Sequence, residues 1–295
     1  MAHFELPDDV IQTLSTVLQQ LHQTLPAVHQ QPDFNAPAFK WQDQQLKAIY
    51  APKKVYLDDL LGIETQKQKI IQNTLQFLEG LPANDLLLTG SRGTGKSSVV
   101  RALLTQYADH GLRLIEIERD DLSDLPLIQK IIENRSEKFI VYCDDLAFNA
   151  EDENYRSLKS VLDGSLQSGS SNFIIYATSN RRHLLPEFMH ENTPVTKVDV
   201  PQYTELHPQE AIEEKISLSD RFGLWLSFYP MNQVLYVEIV EHYIKKAGLT
   251  FNDEVRAESL RWCQLRGQRS GRAAYQFSKH WIGAQLLAQK LSDNK

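Results

Sequence analysis

The stretch that decides the fold is Leu86-Leu87-Leu88-Thr89-Gly90-Ser91-Arg92-Gly93-Thr94-Gly95-Lys96-Ser97-Ser98. Three consecutive leucines read as a buried strand. Gly90 opens a glycine-rich turn, and Lys96 and Ser97 open a helix with Val99, Val100, Leu103 and Leu104 on one face. Gly, four residues, Gly, Lys, Ser is the spacing of a phosphate-binding loop. Gly90, Gly93 and Gly95 permit backbone angles that other residues avoid, so successive N–H groups can turn inward around a phosphate chain. The positive end of the following helix adds to that attraction. In such a loop Lys96 reaches the β- and γ-phosphates and the Ser97 hydroxyl holds Mg²⁺. An ordinary glycine turn is the bland alternative. The apolar strand before the loop and the amphipathic helix after it argue against that alternative.

Composition bounds the rest. A chain of 295 residues has room for one large domain or two smaller ones. Its formal net charge of −7 argues against a broad nonspecific nucleic-acid footprint, while leaving room for a local basic contact. No apolar run is long enough to cross a bilayer, and the first residues lack the basic-then-apolar layout of a signal peptide. A cytoplasmic protein without a membrane partner is therefore expected. Cys143 sits in an apolar strand pattern and Cys263 in a helical one. Both read as small buried side chains rather than as a disulfide or a metal pair.

Upstream of the loop, residues 8–25 form an amphipathic helix pattern with Val10, Ile11, Leu14, Val17, Leu18, Leu21 and Leu25 on one face. That face packs either on the protein's own body or on a partner. Residues 26–54 contain four prolines and read as a connection, with room for a short helix between Trp41 and Tyr50. A helix is expected from Glu64 to Glu79, stopping at Gly80. Downstream, a strand over 112–117 and a helix over 123–134 continue an alternation that predicts a parallel sheet covered on both faces.

Phe139-Ile140-Val141-Tyr142-Cys143-Asp144-Asp145 is the second chemical stretch. Acids at the carboxyl end of a central parallel strand sit where α/β sheets bind ligands. Asp144 is expected to hold Mg²⁺ through water, and Asp145 to orient or deprotonate the attacking water. A helix over 154–167 leads to the apolar strand Phe173 to Ser179, after which Asn180 is placed to hydrogen-bond that water or the γ-phosphate. Arg181 and Arg182 are surface charge, a phosphate contact or an intersubunit contact. Residues 186–208 read as an extended connection, 208–220 as a charged helix and 224–228 as a last strand. Beyond Pro230 the pattern is helical throughout, giving a small three-helix bundle.

Taken in order, these features resemble an AAA+ ATPase. The resemblance rests on Leu60-Leu61-Gly62-Ile63, the phosphate loop, the Asp144-Asp145 pair, the strand ending in Asn180, Arg221 after a helix, and a helical lid with Gly271-Arg272. It covers roughly residues 55–290. Asp144-Asp145 and Ser219-Asp220-Arg221-Phe222-Gly223 are similar to the replication-initiator and helicase-loader branch. Three longer strings, Asp144-Asp145-Leu146, Ala177 to Leu184 and Leu218 to Trp225, look closer to a bacterial AAA+ family without an assigned biological role.

The resemblance implies a five-stranded parallel sheet sandwiched by helices, a small C-terminal helical lid, and roles for individual residues. Leu61 and Gly62 line the adenine pocket. Gly90, Ser91, Arg92, Gly93, Thr94, Gly95, Lys96, Ser97 and Ser98 form Walker A; Asp144 and Asp145 form Walker B. Asn180 is sensor 1. Arg221 reaches a neighbouring subunit's site as an arginine finger, with a helix-capping surface arginine as the alternative. Arg272 is sensor 2, with Arg269 as a rival. The usual second Walker B acid is Glu, whereas here it is Asp145, one methylene shorter; the initiator-like branch shares this Asp.

The expected organisation is an N-terminal helix and linker over 1–54, an α/β nucleotide-binding domain over 55–229 and a lid over 230–295. ATP, ADP and Mg²⁺ are the expected ligands. A homo-oligomer and an unidentified protein or nucleic-acid client are the expected partners.

Overall fold

The structure is a computed structural model that describes residues 32–147, 158–159, 161–162, 172–180 and 220–293. The expected N-terminal helix over 8–25, the extended connection over 186–208, most of the helices over 154–167 and 208–220, and Arg181 and Arg182 lie outside the described residues. The chain divides into two compact units, Met1–Asp33 and Phe34–Lys295, and every element below belongs to the second.

Seven strands form one sheet: β1 (Ala38–Gln42), β2 (Gln45–Ile49), β3 (Leu86–Gly90), β4 (Leu112–Ile117), β5 (Lys138–Cys143), β6 (Phe173–Ser179) and β7 (Leu224–Phe228). Their order is β2-β1-β4-β5-β6-β3-β7. The five strands read from sequence, β3 to β7, all pair in parallel. Period-two alternation sorts their side chains, since neighbours along a strand point to opposite faces. Leu86 and Leu88 join one apolar layer with Ile140, Tyr142 and Tyr176. Leu87 joins the other, with Ile115, Val141 and Ile175.

The strand count exceeds the expected five because of a hairpin where an irregular connection or a short helix was anticipated. β1 pairs antiparallel with β2 and parallel with the edge of β4. The turn is two residues long, with Gln42 opposite Gln45. Asp43 and Gln44 both take positive φ, 53° and 56°, which is the geometry a tight hairpin needs to match strand twist. Phe39 and Trp41 are buried on the same face of β1, and the Trp41 indole donates to Asp124 at 3.0 Å.

Helices α1 (Glu64–Leu78) and α2 (Lys96–Tyr107) supply Ile70, Phe77, Val99, Val100, Leu103 and Leu104 to one face of the sheet. Helix α3 (Leu125–Ile132) supplies Leu125, Ile128 and Ile132 to the other, where Leu158 also packs. A buried polar joint fixes α1: the Tyr176 hydroxyl accepts from the Asn73 amide at 3.1 Å and shares a hydrogen bond with Thr74 at 2.9 Å.

Three further helices follow: α4 (Gln233–Lys246), α5 (Asp253–Leu265) and α6 (Gly271–Asp293). Side-chain oxygens of Asn232, Asn252 and Ser270 accept first-turn N–H groups at 2.9, 3.0 and 3.1 Å, which satisfies donors that a helix start leaves open. These helices bury a core of their own around Tyr236, Val240, Ile244, Val255 and Phe277. Cys143 and Cys263 are buried free thiols, and burial pushes the Cys143 thiol up to about 12. Among the described residues, no helix is long and apolar enough to cross a membrane.

Candidate functional site

The loop between β3 and α2 owes its shape to glycine. Gly90, Gly93 and Gly95 take φ of 135°, 76° and 105°, values that side chains with a Cβ rarely adopt. At Gly90 a Cβ would lie 2.0 Å from the Phe228 carbonyl oxygen, and at Gly93 2.8 Å from the Ser270 Cβ. The loop is thus wedged between β7 and the segment leading into α6. Thr94 ties it internally by donating to the Ser91 carbonyl at 2.9 Å.

Lys96 is 5% exposed. Its ammonium donates to the carbonyls of Gly90 and Ser91 at 2.7 and 2.9 Å and to Asn180 Oδ1 at 3.1 Å. Burial lowers its pKa, against the pull of Asp144 and Asp145. Next to it, the Ser97 hydroxyl donates to Asp144 Oδ1 at 2.8 Å. Asn180 turns its Nδ2 to Asp145 Oδ1 at 2.5 Å. Arg92 approaches Asp145 Oδ2 at 3.6 Å on the surface. An exposed pair of this kind contributes little by itself. Three chain segments read separately from sequence therefore meet: the loop, the end of β5 and the end of β6.

One residue that sequence reading passed over stands at the centre of this meeting. Thr178, fully buried, donates to Asp144 Oδ1 at 2.5 Å and accepts the Asp145 N–H at 3.0 Å. Burial works to raise the Asp144 pKa, but hydrogen bonds from Thr178 and Ser97 hold it below the usual carboxylate range.

A cleft of about 750 Å³ opens from this cluster. Arg92, Gly93, Thr94, Gly95, Lys96, Ser97 and Ser98 line it on the loop side, with Asp144, Asp145 and Asn180. Arg272, Tyr243 and Tyr275 line it from the helical bundle, and Tyr56, Leu60 and Leu61 from the segment before α1. Leu61 also packs on the bundle core. Gly62 takes φ 76°, and a Cβ there would lie 2.3 Å from Leu235 of α4. Arg221 is elsewhere. It precedes β7, which runs parallel to β3, so it sits at the opposite end of the sheet from the loop, roughly 17 Å away for a five-residue strand.

The far end of the cleft holds a second group that sequence reading missed. Asp59 Oδ1 meets His242 Nε2 at 2.9 Å and accepts from Lys246 Nζ at 2.5 Å. Burial would raise the Asp59 pKa; these two partners outweigh it and lower it. His242 and Lys246 are one helical turn apart, so they face one way, a signal present in the sequence. Their acidic partner lies 183 residues before His242.

The donor chemistry fits Mg²⁺. Ser97 and Asp144 offer hard oxygens side by side, as a cation that keeps several waters and shares phosphate oxygens requires. Among the described residues no group of three or more His, Cys, Asp or Glu stands close enough together to hold a metal ion.

A glycine loop feeding a helix from a parallel sheet, acids at the end of the strand next but one and a helical bundle across the cleft make up the AAA+ class of P-loop folds. Within that class the chain belongs to the family described as "Protein of unknown function (DUF815)", whose model matches residues 34–285.

Solved structures share the fold. A RuvB mutant of Thermotoga maritima is 14% identical with a TM-score of 0.51, over 79% of this chain and 67% of that one. A second RuvB mutant is 13% identical with a TM-score of 0.51, over 79% and 66%. The Aeropyrum pernix ORC1 protein in complex with DNA is 14% identical with a TM-score of 0.51, over 78% and 60%. The chain spans about two thirds or less of the length of these proteins. No curated protein sequence matches it.

Proposed function

We propose that this protein binds ATP with Mg²⁺ in the cleft, hydrolyses it at a site completed by another copy of the chain, and uses the cycle to remodel a partner. The observation that carries this reading is the convergence of Lys96, Ser97, Asp144, Asp145 and Asn180 at the mouth of one glycine loop. In it, Lys96 exchanges its carbonyl partners for phosphate oxygens. Ser97 and Asp144 would hold the Mg²⁺, which would supply positive charge beside the phosphates when bound. Asp145 orients the attacking water, and Asn180 bridges Asp145 to Lys96. Leu61 and Gly62 border the base, and Arg272 reaches in from the lid. Arg221, at the far end of the sheet, acts on the neighbouring copy's site, and such an arginine is worth ~10³–10⁵ in rate. The lid over 230–295 moves against the α/β body. A cytoplasmic setting suits both the reading and the reduced cysteines.

Three variants test the proposal. Lys96→Ala loses nucleotide binding. Asp145→Asn keeps binding and stalls hydrolysis, as does Arg221→Ala. An Arg221→Ala protein that hydrolysed ATP like the parent at every protein concentration would overturn the intersubunit site.

A second reading draws on Asp145, whose shorter carboxylate is already engaged by Asn180 and Arg92. In it the protein is a slow nucleotide switch that loads or holds a protein or nucleic-acid partner. Turnover below one per minute with strong ATP-dependent partner capture would favour it. Salt-sensitive stimulation of hydrolysis by DNA would identify nucleic acid as that partner.

A further inference from the structure

The β5–β6 register places the residue after Cys143 beside the residue after Ala177, because Cys143 and Ala177 are partners in the ladder. Asp144 and Thr178 continue this pairing past the end of β5. Thr178 also lies two residues before Asn180, so the two side chains leave the strand on the same side. Its hydroxyl has one proton to give and lone pairs to accept with. The Asp145 N–H can only donate, so it takes a lone pair of Thr178 Oγ1, at 3.0 Å. The single hydroxyl proton goes to Asp144 Oδ1, at 2.5 Å. The Thr178 carbonyl also accepts the Leu146 N–H, at 2.6 Å. Three successive residues, 144 to 146, are thus pinned to one threonine. Among them Asp145 holds a left-handed backbone, φ 56°, a conformation that aspartate tolerates better than most residues and that its surroundings hold in place.

We propose that Thr178 is the positioning residue of this site: its hydroxyl sets the direction of the Asp144 carboxylate and the backbone of Asp145 at once. Ser97 and Thr178 both donate to Oδ1, so neither occupies Oδ2, the oxygen left to face a cation's water shell in this reading. With its amide anchored, Asp145 presents its carboxylate towards Asn180. Thr178 borders the cleft, and its role here is exerted through the two acids. The role rests on the Mg·ATP reading above and adds a residue to it.

The experiment compares Thr178→Val, which keeps the shape and removes the hydroxyl, with Thr178→Ser, which keeps the hydroxyl. The readouts are the affinity of the full chain for a fluorescent ATP analogue with and without Mg²⁺, the Mg²⁺ concentration for half-maximal ATPase, and kcat and KM for ATP. Thr178→Val is expected to bind the analogue in EDTA within about twofold of the parent, to need ~10–100-fold more Mg²⁺, and to lose kcat by ~10–100-fold with KM nearly unchanged. Thr178→Ser is expected to restore both within about threefold.

If Thr178→Val does not fold, Thr178→Ala takes its place under the same expectations. Val or Ala variants equal to the Ser variant in Mg²⁺ requirement and kcat would overturn the role of Thr178 alone. A parent protein that binds no nucleotide would overturn the underlying reading, and the role with it.

Discussion

At the level of single residues, the site is a set of polar groups whose partners come from different parts of the chain. Its counterpart at the other end of the sheet is Asp85, just before β3, whose Oδ1 accepts the Ile175 N–H at 2.6 Å. Burial pushes the Asp85 carboxyl up to about 6, although that hydrogen bond pulls the other way. A folded-state pKa above the unfolded value makes the protonated form the better fit. The associated stability is full below pH ~4 and is lost as pH rises through about 6. Asp85→Asn keeps the acceptor oxygen and removes the charge. It is expected to stabilise the protein at pH 7.5 by about 1–3 kcal/mol and to make little difference at pH 4. Urea denaturation across that range measures the gap between the two proteins; a gap that does not widen with pH would rule out the buried charge as its cause. Asp59 has the reverse sign. Its pKa is lowered by His242 and Lys246, so the stability it contributes is present at neutral pH and falls away in acid.

At the level of elements, β3 to β7 were readable because parallel strands covered on both faces show as unbroken apolar runs. The phosphate loop and the acid pair were readable for a related reason, since each is chemistry written in adjacent residues. The β1–β2 hairpin was not. Its turn, Asp43-Gln44, lacks the Gly or Asn that usually marks positive φ, and its strands are short and carry lysines outward. Gln44→Gly should therefore stabilise the protein by about 0.5–1 kcal/mol, because it relieves a left-handed side-chain residue. Trp41→Ala should cost about 3–5 kcal/mol, since it empties a buried site and leaves Asp124 without its donor. Chemical denaturation of the two variants checks both signs; a hairpin that merely decorates the sheet would leave Trp41→Ala near the parent. Thr178 was unreadable for another reason. At the end of an apolar strand a threonine passes as an ordinary β-former, and only the register of β5 against β6 turns it into a partner of two acids. The Asp59–His242–Lys246 group needs the whole tertiary fold.

At the level of the molecule, the cleft joins the sheet, the segment around Leu61 and the helical bundle, so a ligand there stabilises all three together. A nucleotide at 100 times its Kd is expected to add about 2.7 kcal/mol to the folded state. The resulting rise in Tm should vanish in Lys96→Ala and persist in Asp145→Asn. Equal shifts in all three proteins would place the nucleotide elsewhere.

The loop is not a passive cradle in this arrangement. The Gly271 N–H, at the first residue of α6, donates to the Gly93 carbonyl at 2.9 Å. Helix α6 runs 23 residues from that bond, a rod of ~34 Å. A rotation of ~5° at its root would sweep its tip through ~3 Å over that length. Gly93 of the loop thus sits at the root of a long helix. Any rotation passed on through that bond would therefore be largest at the far end of the helix, near Asp293.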